Sequence, residues 1–396
     1  MDKTQKTADF IDKNRHRNVK EVALELSKRH DLDAAFALRQ IEGWQKLHDK
    51  VPSWAQCDQL IYPPRLALEQ CSGEAAARYK AEVVRRLQAE GRLGINSMTD
   101  LTGGMGVDFS FLSPLFQRAA YVEQRPELVT AARHNFPLLH LSNATVTQAD
   151  GIALLHTLDP ADLLFIDPAR RDEFGRKTVR LEDCEPHVTP LLPLLFEKCR
   201  VLMLKLSTML DLHHTVDTLG CVAEAHIFAS GGECKDLLLV CTAEPVSETK
   251  YFCANDTQSF AFTRREEAEA LSPMADTIAG YLYEPNPAVM KAGAYKTVAQ
   301  RHALQKLHPN THLYCSSERH ADFPGRVFRI DRVMGFSKKD LREITALGKA
   351  NLTVRNFPAT VAELRKKLKL GEGGDTFLFA ATQADGRKIL IVCRRP

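Results

Sequence analysis

The sequence predicts an α/β protein built on a seven-stranded, mostly parallel sheet with an antiparallel hairpin at one edge. Between residues 95 and 241, short apolar runs alternate with helical stretches, a pattern typical of parallel strands covered on both faces. The last two runs are joined only by residues 229–236, too few for a helical crossover, which favours an antiparallel pair. An N-terminal helical region and small C-terminal α+β domains are expected to flank this sheet.

The N-terminal ninety residues are expected to be helical. Val19, Val22, Ala23 and Leu26 recur at the spacing of one helix face. A further helix over residues 73–90 is expected to end at Gly91, since glycine tolerates the left-handed conformation that follows many helices. The seven strands of the sheet are then predicted at residues 97–101, 119–123, 144–147, 163–167, 201–206, 222–228 and 237–241.

Beyond residue 244 the pattern changes to α+β. Strands are predicted at 281–284, 313–315 and 326–330 around a helix over 288–307. A strand at 352–355, a basic helix at 359–370 and a hairpin over 376–393, turned near Asp385-Gly386, complete the chain. These changes predict four domains, at residues 1–90, 91–245, 246–330 and 331–396.

The composition favours a globular cytoplasmic protein. Of 396 residues, 44% are hydrophobic and 26% charged. The first twenty residues have no apolar core of a signal peptide, and no run is long enough to cross a bilayer. None of the ten cysteines forms a C-x-x-C pair, which is expected for reduced thiols in a cytosol. We expect no membrane contact.

The C-terminal end of the chain is basic. Residues 331–396 hold 14 Lys and Arg against 7 Asp and Glu, a net +7, whereas residues 1–330 sum to −4. The basic positions include one side of the predicted helix at 359–370: Arg365, Lys366, Lys367 and Lys369. Such a surface favours contact with phosphates of a nucleic acid, although a solvated helix face would give the same pattern.

A glycine-rich turn follows the first strand of the predicted sheet. Asp100 is followed by Gly103, Gly104 and Gly106, and glycines in such a turn let the backbone approach a bound nucleoside. The position three residues after Gly106 is Phe109, which excludes a dinucleotide fingerprint, and the P-loop lysine is absent. Two more acids, Glu123 and Asp150, follow the second and third strands.

Asp100, Gly104 and Gly106 resemble the first motif of class I S-adenosylmethionine-dependent methyltransferases. The resemblance implies a Rossmann-like methyltransferase domain with S-adenosylmethionine as cofactor. It also implies that Asp100 faces the methionine part, Glu123 accepts hydrogen bonds from the ribose hydroxyls, and Asp150 accepts one from the adenine amine. Each acid could instead cap a helix.

The whole chain resembles an uncharacterised bacterial methyltransferase family with ferredoxin-like and THUMP-like C-terminal domains. The motifs that carry this likeness are Tyr283-Glu284-Pro285-Asn286-Pro287, Arg355-Asn356-Phe357-Pro358 and Gly373-Gly374-Asp375-Thr376. Because THUMP domains accompany tRNA-modifying enzymes, the resemblance implies RNA, and tRNA in particular, as substrate. A small-molecule or protein methyltransferase, and a non-catalytic RNA-binding module, are the alternatives.

The fourth strand ends in Asp167-Pro168-Ala169-Arg170-Arg171, at the edge where open α/β sheets bind ligands. In related enzymes that methylate base amines, the corresponding motif is Asp/Asn-Pro-Pro-aromatic. Here Asp167 could accept the amine, but the stacking ring is missing. Arg170 and Arg171 could hold a substrate phosphate through forked hydrogen bonds.

A second chemistry is suggested by Lys80, Asp167, Lys205 and Glu233. In order and approximate spacing they resemble the Lys-Asp-Lys-Glu tetrad of FtsJ-type RNA 2′-O-ribose methyltransferases. In that case Lys205, with a pKa lowered by burial and a neighbouring cation, would take the proton of the ribose hydroxyl. Base N-methylation and ribose 2′-O-methylation both stay open. The histidines between 302 and 320 have no ligand spacing on a predicted helix face, so we expect no metal.

Overall fold

The computed structural model describes residues 3–170 and 180–396, which divide into two compact units. The N-terminal unit comprises Met1–Glu224 and Lys235–Ser247, and the C-terminal unit comprises Ala225–Cys234 and Glu248–Pro396. The division falls within one β-hairpin. The four-domain division expected from the sequence stays a prediction.

The N-terminal unit begins with six helices, as expected, and continues with helices between the strands of the sheet. Its helices are α1 (Lys3–Asn14), α2 (Val19–Leu26), α3 (Ala34–Lys50), α4 (Pro52–Ala55), α5 (Arg65–Gln70), α6 (Glu74–Ala89), α7 (Val107–Leu112), α8 (Pro126–Leu138), α9 (Gly151–Leu154), α10 (Leu192–Lys198) and α11 (Leu212–Leu219). Short 3₁₀ turns cover Ser113–Leu115 and Thr189–Leu191.

All seven predicted strands of the large sheet are present, within a few residues of their expected bounds. The strands of this region are β1 (Ser97–Asp100), β2 (Arg118–Glu123), β3 (Ala144–Gln148), β4 (Ala161–Ile166), β5 (Ala169–Arg170), β6 (Cys184–Glu185), β7 (Cys199–Leu206), β8 (Val222–Ser230), β9 (Glu233–Thr242), β10 (Lys250–Asn255) and β11 (Gln258–Thr263). Strands β5 and β6 form a separate two-stranded ribbon.

The number of strands in the large sheet differs from the prediction. Within the described residues the order is β11-β10-β8-β9-β7-β4-β1-β2-β3, nine strands rather than seven. The β8–β9 hairpin is therefore followed by a second hairpin, β10–β11, and does not end the sheet. Strand β9 runs antiparallel to β7.

The parallel registers bring the ends of three strands to the same edge. Asp100 of β1 lies opposite Tyr121 of β2 and Phe165 of β4, and Glu123 of β2 lies opposite Gln148 of β3. A buried core beneath them holds these strands and α6 together, and includes Val84, Phe109, Phe136, Leu163 and Met203. The acidic strand ends are thus fixed on a packed support.

The C-terminal unit contains a second, seven-stranded sheet. Its strands are β12 (Tyr281–Pro285), β13 (Gln305–Lys306), β14 (Tyr314–Ser316), β15 (Gly325–Met334), β16 (Asn351–Arg355), β17 (Thr376–Thr382) and β18 (Lys388–Arg394), in the order β13-β14-β12-β15-β18-β17-β16. Its helices are α12 (Arg264–Glu269), α13 (Pro287–Ala292), α14 (Tyr295–Arg301), α15 (Lys338–Ala346) and α16 (Val361–Leu368).

Both faces of this second sheet are covered. Along β17, Phe379 and Ala381 join one buried core, whereas Leu378 and Ala380 join another that contains residues of α15 and α16. This alternation follows from the two-residue period of a strand. The helix expected over residues 288–307 is broken into α13 and α14, because Gly293 adopts φ +76° and ends α13.

Two of the motifs noted in the sequence have a structural role. Glu284 is buried and forms ion pairs with Arg326 and with Arg355, the latter at 2.6 Å. Asn286 caps α13 by accepting a hydrogen bond from the Val289 amide. Throughout residues 3–170 and 180–396, every helix is too short or too polar to span a bilayer.

Candidate active site

The glycine bend between β1 and α7 is shaped by close packing. A Cβ at Gly103 would lie 2.2 Å from the ring of Tyr121, so no larger residue fits there. Gly104 and Gly106 have φ of +57° and +82°, which favours glycine. The Tyr121 hydroxyl donates to the Gly104 carbonyl at 2.6 Å. The bend is therefore held rigidly over β2, with Gly104 partly exposed.

Glu123 lies next to this bend at the end of β2. One carboxylate oxygen accepts from the Gly104 amide at 2.8 Å, and the other accepts from the Arg125 amide at 2.9 Å. The residue is 7% exposed. The oxygen that accepts from the Arg125 amide also accepts from the Arg125 guanidinium at 3.3 Å. The other oxygen keeps its second lone pair, so Glu123 can still accept a hydrogen bond from a ligand.

Asp100 is buried and only 2% exposed. Burial raises its pKa to about 8, although the hydrogen bond from the Thr102 amide, 3.0 Å long, favours the ionised form. The nearby carboxylates of Asp108, Asp167 and Glu123 add to the increase. A cationic group placed beside Asp100 would offset this repulsion.

Asp150 follows β3 and caps α9. Its Oδ1 accepts from the amides of Ile152 and Ala153, at 2.8 and 3.0 Å. The helix-capping role allowed by the sequence is therefore present, and both bonds use the same oxygen. The residue is exposed, so a ligand amine has access to the carboxylate.

Asp167 and Lys205 form an ion pair at the ends of β4 and β7. The Lys205 Nζ donates to an Asp167 carboxylate oxygen at 2.5 Å. The Lys205 side chain is 9% exposed, and that of Asp167 is 36% exposed. The Asp167 amide donates to the Thr102 hydroxyl at 2.7 Å, which links the fourth strand to the glycine bend. Of the two charged groups, Asp167 is the one that an incoming substrate can reach.

The prediction that Lys205 has a lowered pKa is wrong. Burial favours the neutral amine, but attraction to Asp167, Asp108 and Asp236 outweighs burial and raises the pKa above its usual 10.5. Lys205 is therefore a stable ammonium in this arrangement. A raised pKa disfavours the general-base role that the ribose tetrad assigns to Lys205. Burial raises the pKa of Asp167, and Lys205 offsets only part of that increase.

Lys80 lies at the centre of a buried charge network. It is 1% exposed, so it is not a surface lysine. Its ammonium contacts Asp236 and lies 3.0 Å from Asp108 and 3.2 Å from the Ser72 hydroxyl. Asp108 also lies 3.8 Å from Lys205. Attraction to the two lysines overcomes burial and lowers the pKa of Asp108.

Sequence reasoning missed Asp108 and Asp236. The carboxylate on β9 that contacts Lys80 belongs to Asp236, three positions after the predicted Glu233, which is exposed. The sequence did contain a signal for Asp236. It is a charged residue directly before the fully apolar stretch of β9, where the strand becomes buried. Asp108 stands in the first turn of α7, two residues after Gly106.

The predicted phosphate contacts are placed unequally. Arg170 lies in β5, and Arg171 lies outside the described residues. Lys366 and Lys367 are exposed on α16, and Lys369 is exposed at its end. Arg365 is half-buried, and its guanidinium lies 3.4 Å from the Ala350 carbonyl and 3.9 Å from Glu372.

Comparisons with known proteins agree with this architecture. A ferredoxin-like domain model matches residues 281–324, and a THUMP domain-like model matches residues 325–395. A crystal structure of a candidate methyltransferase from Porphyromonas gingivalis W83 is 34% identical and covers all of this chain and 99% of its own, with a TM-score of 0.88.

Similar sequences carry the same activity in their names. Two uncharacterised S-adenosylmethionine-dependent methyltransferases from Mycobacterium tuberculosis strains CDC 1551/Oshkosh and H37Rv are 27% identical over 311 residues, which is 77% of this chain and 80% of each relative. Together with the sheet, the glycine bend and the acidic strand ends, these findings define an S-adenosylmethionine-dependent methyltransferase. The chain belongs to the family of the P. gingivalis methyltransferase, with ferredoxin-like and THUMP-like C-terminal domains.

The glycine bend and its acids fit S-adenosylmethionine. Gly104 offers open backbone, one oxygen of Glu123 keeps a lone pair for a ribose hydroxyl, and a cation beside the buried Asp100 would stabilise its ionised form. Asp150 is accessible to an amine. When bound, the cofactor supplies an electrophilic methyl group.

Proposed function

We propose that this methyltransferase acts on RNA, with tRNA as the first substrate to test, and that it methylates a base nitrogen held by Asp167. The observation that carries the RNA assignment is the basic THUMP-like segment. Its match covers residues 325–395, and residues 331–396 carry a net charge of +7. Such a charge surplus favours binding of a polyanion.

The basic residues of this segment include lysines on one helical layer. Lys338 and Lys339 of α15 are exposed, as are Lys366 and Lys367 of α16. Both helices contribute apolar side chains to the same buried core, so their polar faces lie on the outside of one layer. Contacts from such lysines to phosphates would supply affinity without choosing a sequence.

The nitrogen assignment rests on Asp167 and Lys205. Asp167 is the more exposed of the pair, and it lies at the strand edge where ligands bind. It can accept a hydrogen bond from a substrate amine and so direct the nitrogen lone pair. Methyl transfer would form an N–C bond while the S–C bond of the bound cofactor breaks and its sulfur keeps the electron pair. The methylated nitrogen must then lose a proton, and a carboxylate with an elevated pKa is suited to accept it. Lys205 fixes the orientation of that carboxylate.

The test is methyl transfer to unmodified RNA transcripts and to RNA from a strain lacking the protein, with nucleosides identified by mass spectrometry. We expect an N-methylated base, lost in Asp167→Ala while cofactor binding is retained. Asp159→Ala is the control, because Asp159 is exposed and precedes the opposite end of β4.

Each other product has a distinct meaning. A 2′-O-methyl nucleoside would overturn the nitrogen assignment and keep RNA as the substrate. Transfer to a small molecule or protein with no RNA product would contradict the RNA proposal. RNA binding with no labelled product from any RNA would favour a non-catalytic module.

A further inference from the structure

The ferredoxin-like segment brings together two histidines and an aspartate that the methyltransferase site does not use. His302 follows α14, and His320 and Asp322 lie in the loop between β14 and β15. One possible ligand atom from each side chain lies within 4.8 Å of those of the other two. The distance from His302 Nδ1 to Asp322 Oδ1 is 3.8 Å.

We propose that His302, His320 and Asp322 form a binding site for a divalent transition-metal ion of the Zn²⁺ type. Two imidazoles and one carboxylate are a donor set that such ions prefer. Three protein ligands leave one tetrahedral position for water or another ligand. All three residues lie within the ferredoxin-like match at 281–324, and none lies in the THUMP-like match at 325–395 on which the RNA proposal rests.

An unsatisfied nitrogen provides a second, independent indication. The Nε2 atom of His320 is buried and has no hydrogen-bond partner among the described residues. A buried polar atom without a partner is destabilising, and such atoms are uncommon in folded proteins. Coordination of a metal ion through Nε2 would give this atom a partner.

The loop that carries two of the ligands is held in place. The Tyr283 hydroxyl donates to the Glu318 carbonyl at 2.5 Å and accepts from the His320 amide at 3.0 Å. The ring of Phe323 packs edge-on against His302 at 5.5 Å and against Tyr283 at 5.0 Å. These contacts hold the backbone of His320 and pack against the ring of His302, and the aromatic rings limit access of water.

The spacing and mobility of the ligands also suit a metal. The His302 side chain is 10% exposed. Ligands about 2.1 Å from a tetrahedral ion lie about 3.4 Å apart. The three atoms must therefore approach by about 1.4 Å at most. Asp322, 83% exposed, is free to make that movement.

The experiment is calorimetric titration of Zn²⁺ into the untagged full chain after removal of metals with a chelator. We expect one ion per chain, with affinity reduced at least tenfold in His302→Ala. Asp322→Asn should also weaken binding, and this exposed substitution keeps the test valid if the histidine variant fails to fold. His308→Ala is the matched control, because that histidine lies in the same segment and accepts from the Asn310 amide instead.

Substitution with Co²⁺ tests the identity of the ligands. The visible spectrum should be that of a tetrahedral nitrogen and oxygen site without thiolate absorption, although the chain has ten cysteines. The proposal is overturned if the wild-type chain binds no Zn²⁺ at micromolar concentration, if thiolate bands appear, or if His308→Ala weakens binding as much as Asp322→Asn does.

Discussion

Replacement of Lys80 by methionine tests the buried charge network behind the active site. Lysine and methionine have similar helix propensities, so the substitution in α6 removes the charge with little change in backbone preference. It leaves Asp108 and Asp236 without the ammonium that contacts both. The expected result is a large loss of stability in the N-terminal unit.

The size of the stability loss expected for Lys80→Met follows from the burial of the three charged groups. Lys80 is 1% exposed, and the side chains of Asp108 and Asp236 are each 10% exposed. Removing one partner of a buried ion pair costs about 3–5 kcal/mol. The double variant Lys80→Met/Asp236→Leu should regain roughly half of the loss, because it removes one of the two unpaired carboxylates. Asp108 keeps Lys205 at 3.8 Å.

Urea unfolding followed by tryptophan fluorescence measures this change selectively. The two tryptophans of the chain, Trp44 and Trp54, both lie in the N-terminal unit. For a urea dependence of about 2–3 kcal/mol per M, the midpoint should fall by roughly 1–2.5 M. Lys46→Met is the control, since the Lys46–Glu69 pair is exposed and should contribute little.

The reasoning is refuted if Lys80→Met unfolds at the same urea concentration as Lys46→Met. It is also refuted if the double variant is less stable than the single variant, because Asp236 would then stabilise the fold by some route other than its ion pair.

Four further results are expected. Asp100→Asn should remove a fall in the free energy of unfolding between about pH 4 and pH 8 in urea titrations, because the folded carboxyl keeps its proton up to about pH 8 whereas the unfolded carboxyl loses it near 3.8. Glu123→Gln should weaken S-adenosylmethionine binding about tenfold or more by calorimetry, since an amide accepts hydrogen bonds less strongly than a carboxylate. Gly103→Ala should lower the melting temperature, because its Cβ would lie 2.2 Å from an aromatic ring. The double substitution Lys366→Glu/Lys367→Glu should weaken RNA binding. It should also make the slope of log K against log salt concentration shallower by about one for each lost phosphate contact. An unchanged slope would contradict contact through these lysines.

The strands and acidic ends of the methyltransferase sheet could be predicted because local sequence determines them. Apolar runs specify the strands, and parallel registers then place Asp100 and Glu123 at the same edge. Strands β10 and β11 were not predicted. Their hairpin turns at Asp256, a non-glycine residue with φ +50°, so it lacks the usual glycine signal for a tight turn.

The partners of the buried lysines could not be read from the sequence in the same way. Lys80 was noticeable because it interrupts an apolar helix face, but many acids could have been its partner. Asp108 contacts Lys80 only because the glycine bend sets the direction of α7, and Asp236 depends on the pairing of β9 with β7. Such contacts join residues far apart in the chain, so the residue spacing within one segment does not predict them.

The direction of the Lys205 pKa shift depends on this long-range arrangement. From sequence alone, an apolar strand around Lys205 predicts desolvation and a lowered pKa, which would suit a general base. The fold places Asp167 at 2.5 Å and Asp108 at 3.8 Å from the Lys205 ammonium, and their attraction outweighs the desolvation.

If Lys205 acts by orienting Asp167, Lys205→Met should release Asp167 from its orientation and lower kcat more than it raises the KM for RNA. Lys205→Arg should restore part of the rate, because a guanidinium keeps the ion pair but cannot act as a base at neutral pH. Activity of Lys205→Arg as low as that of Lys205→Met would favour a lysine that exchanges protons.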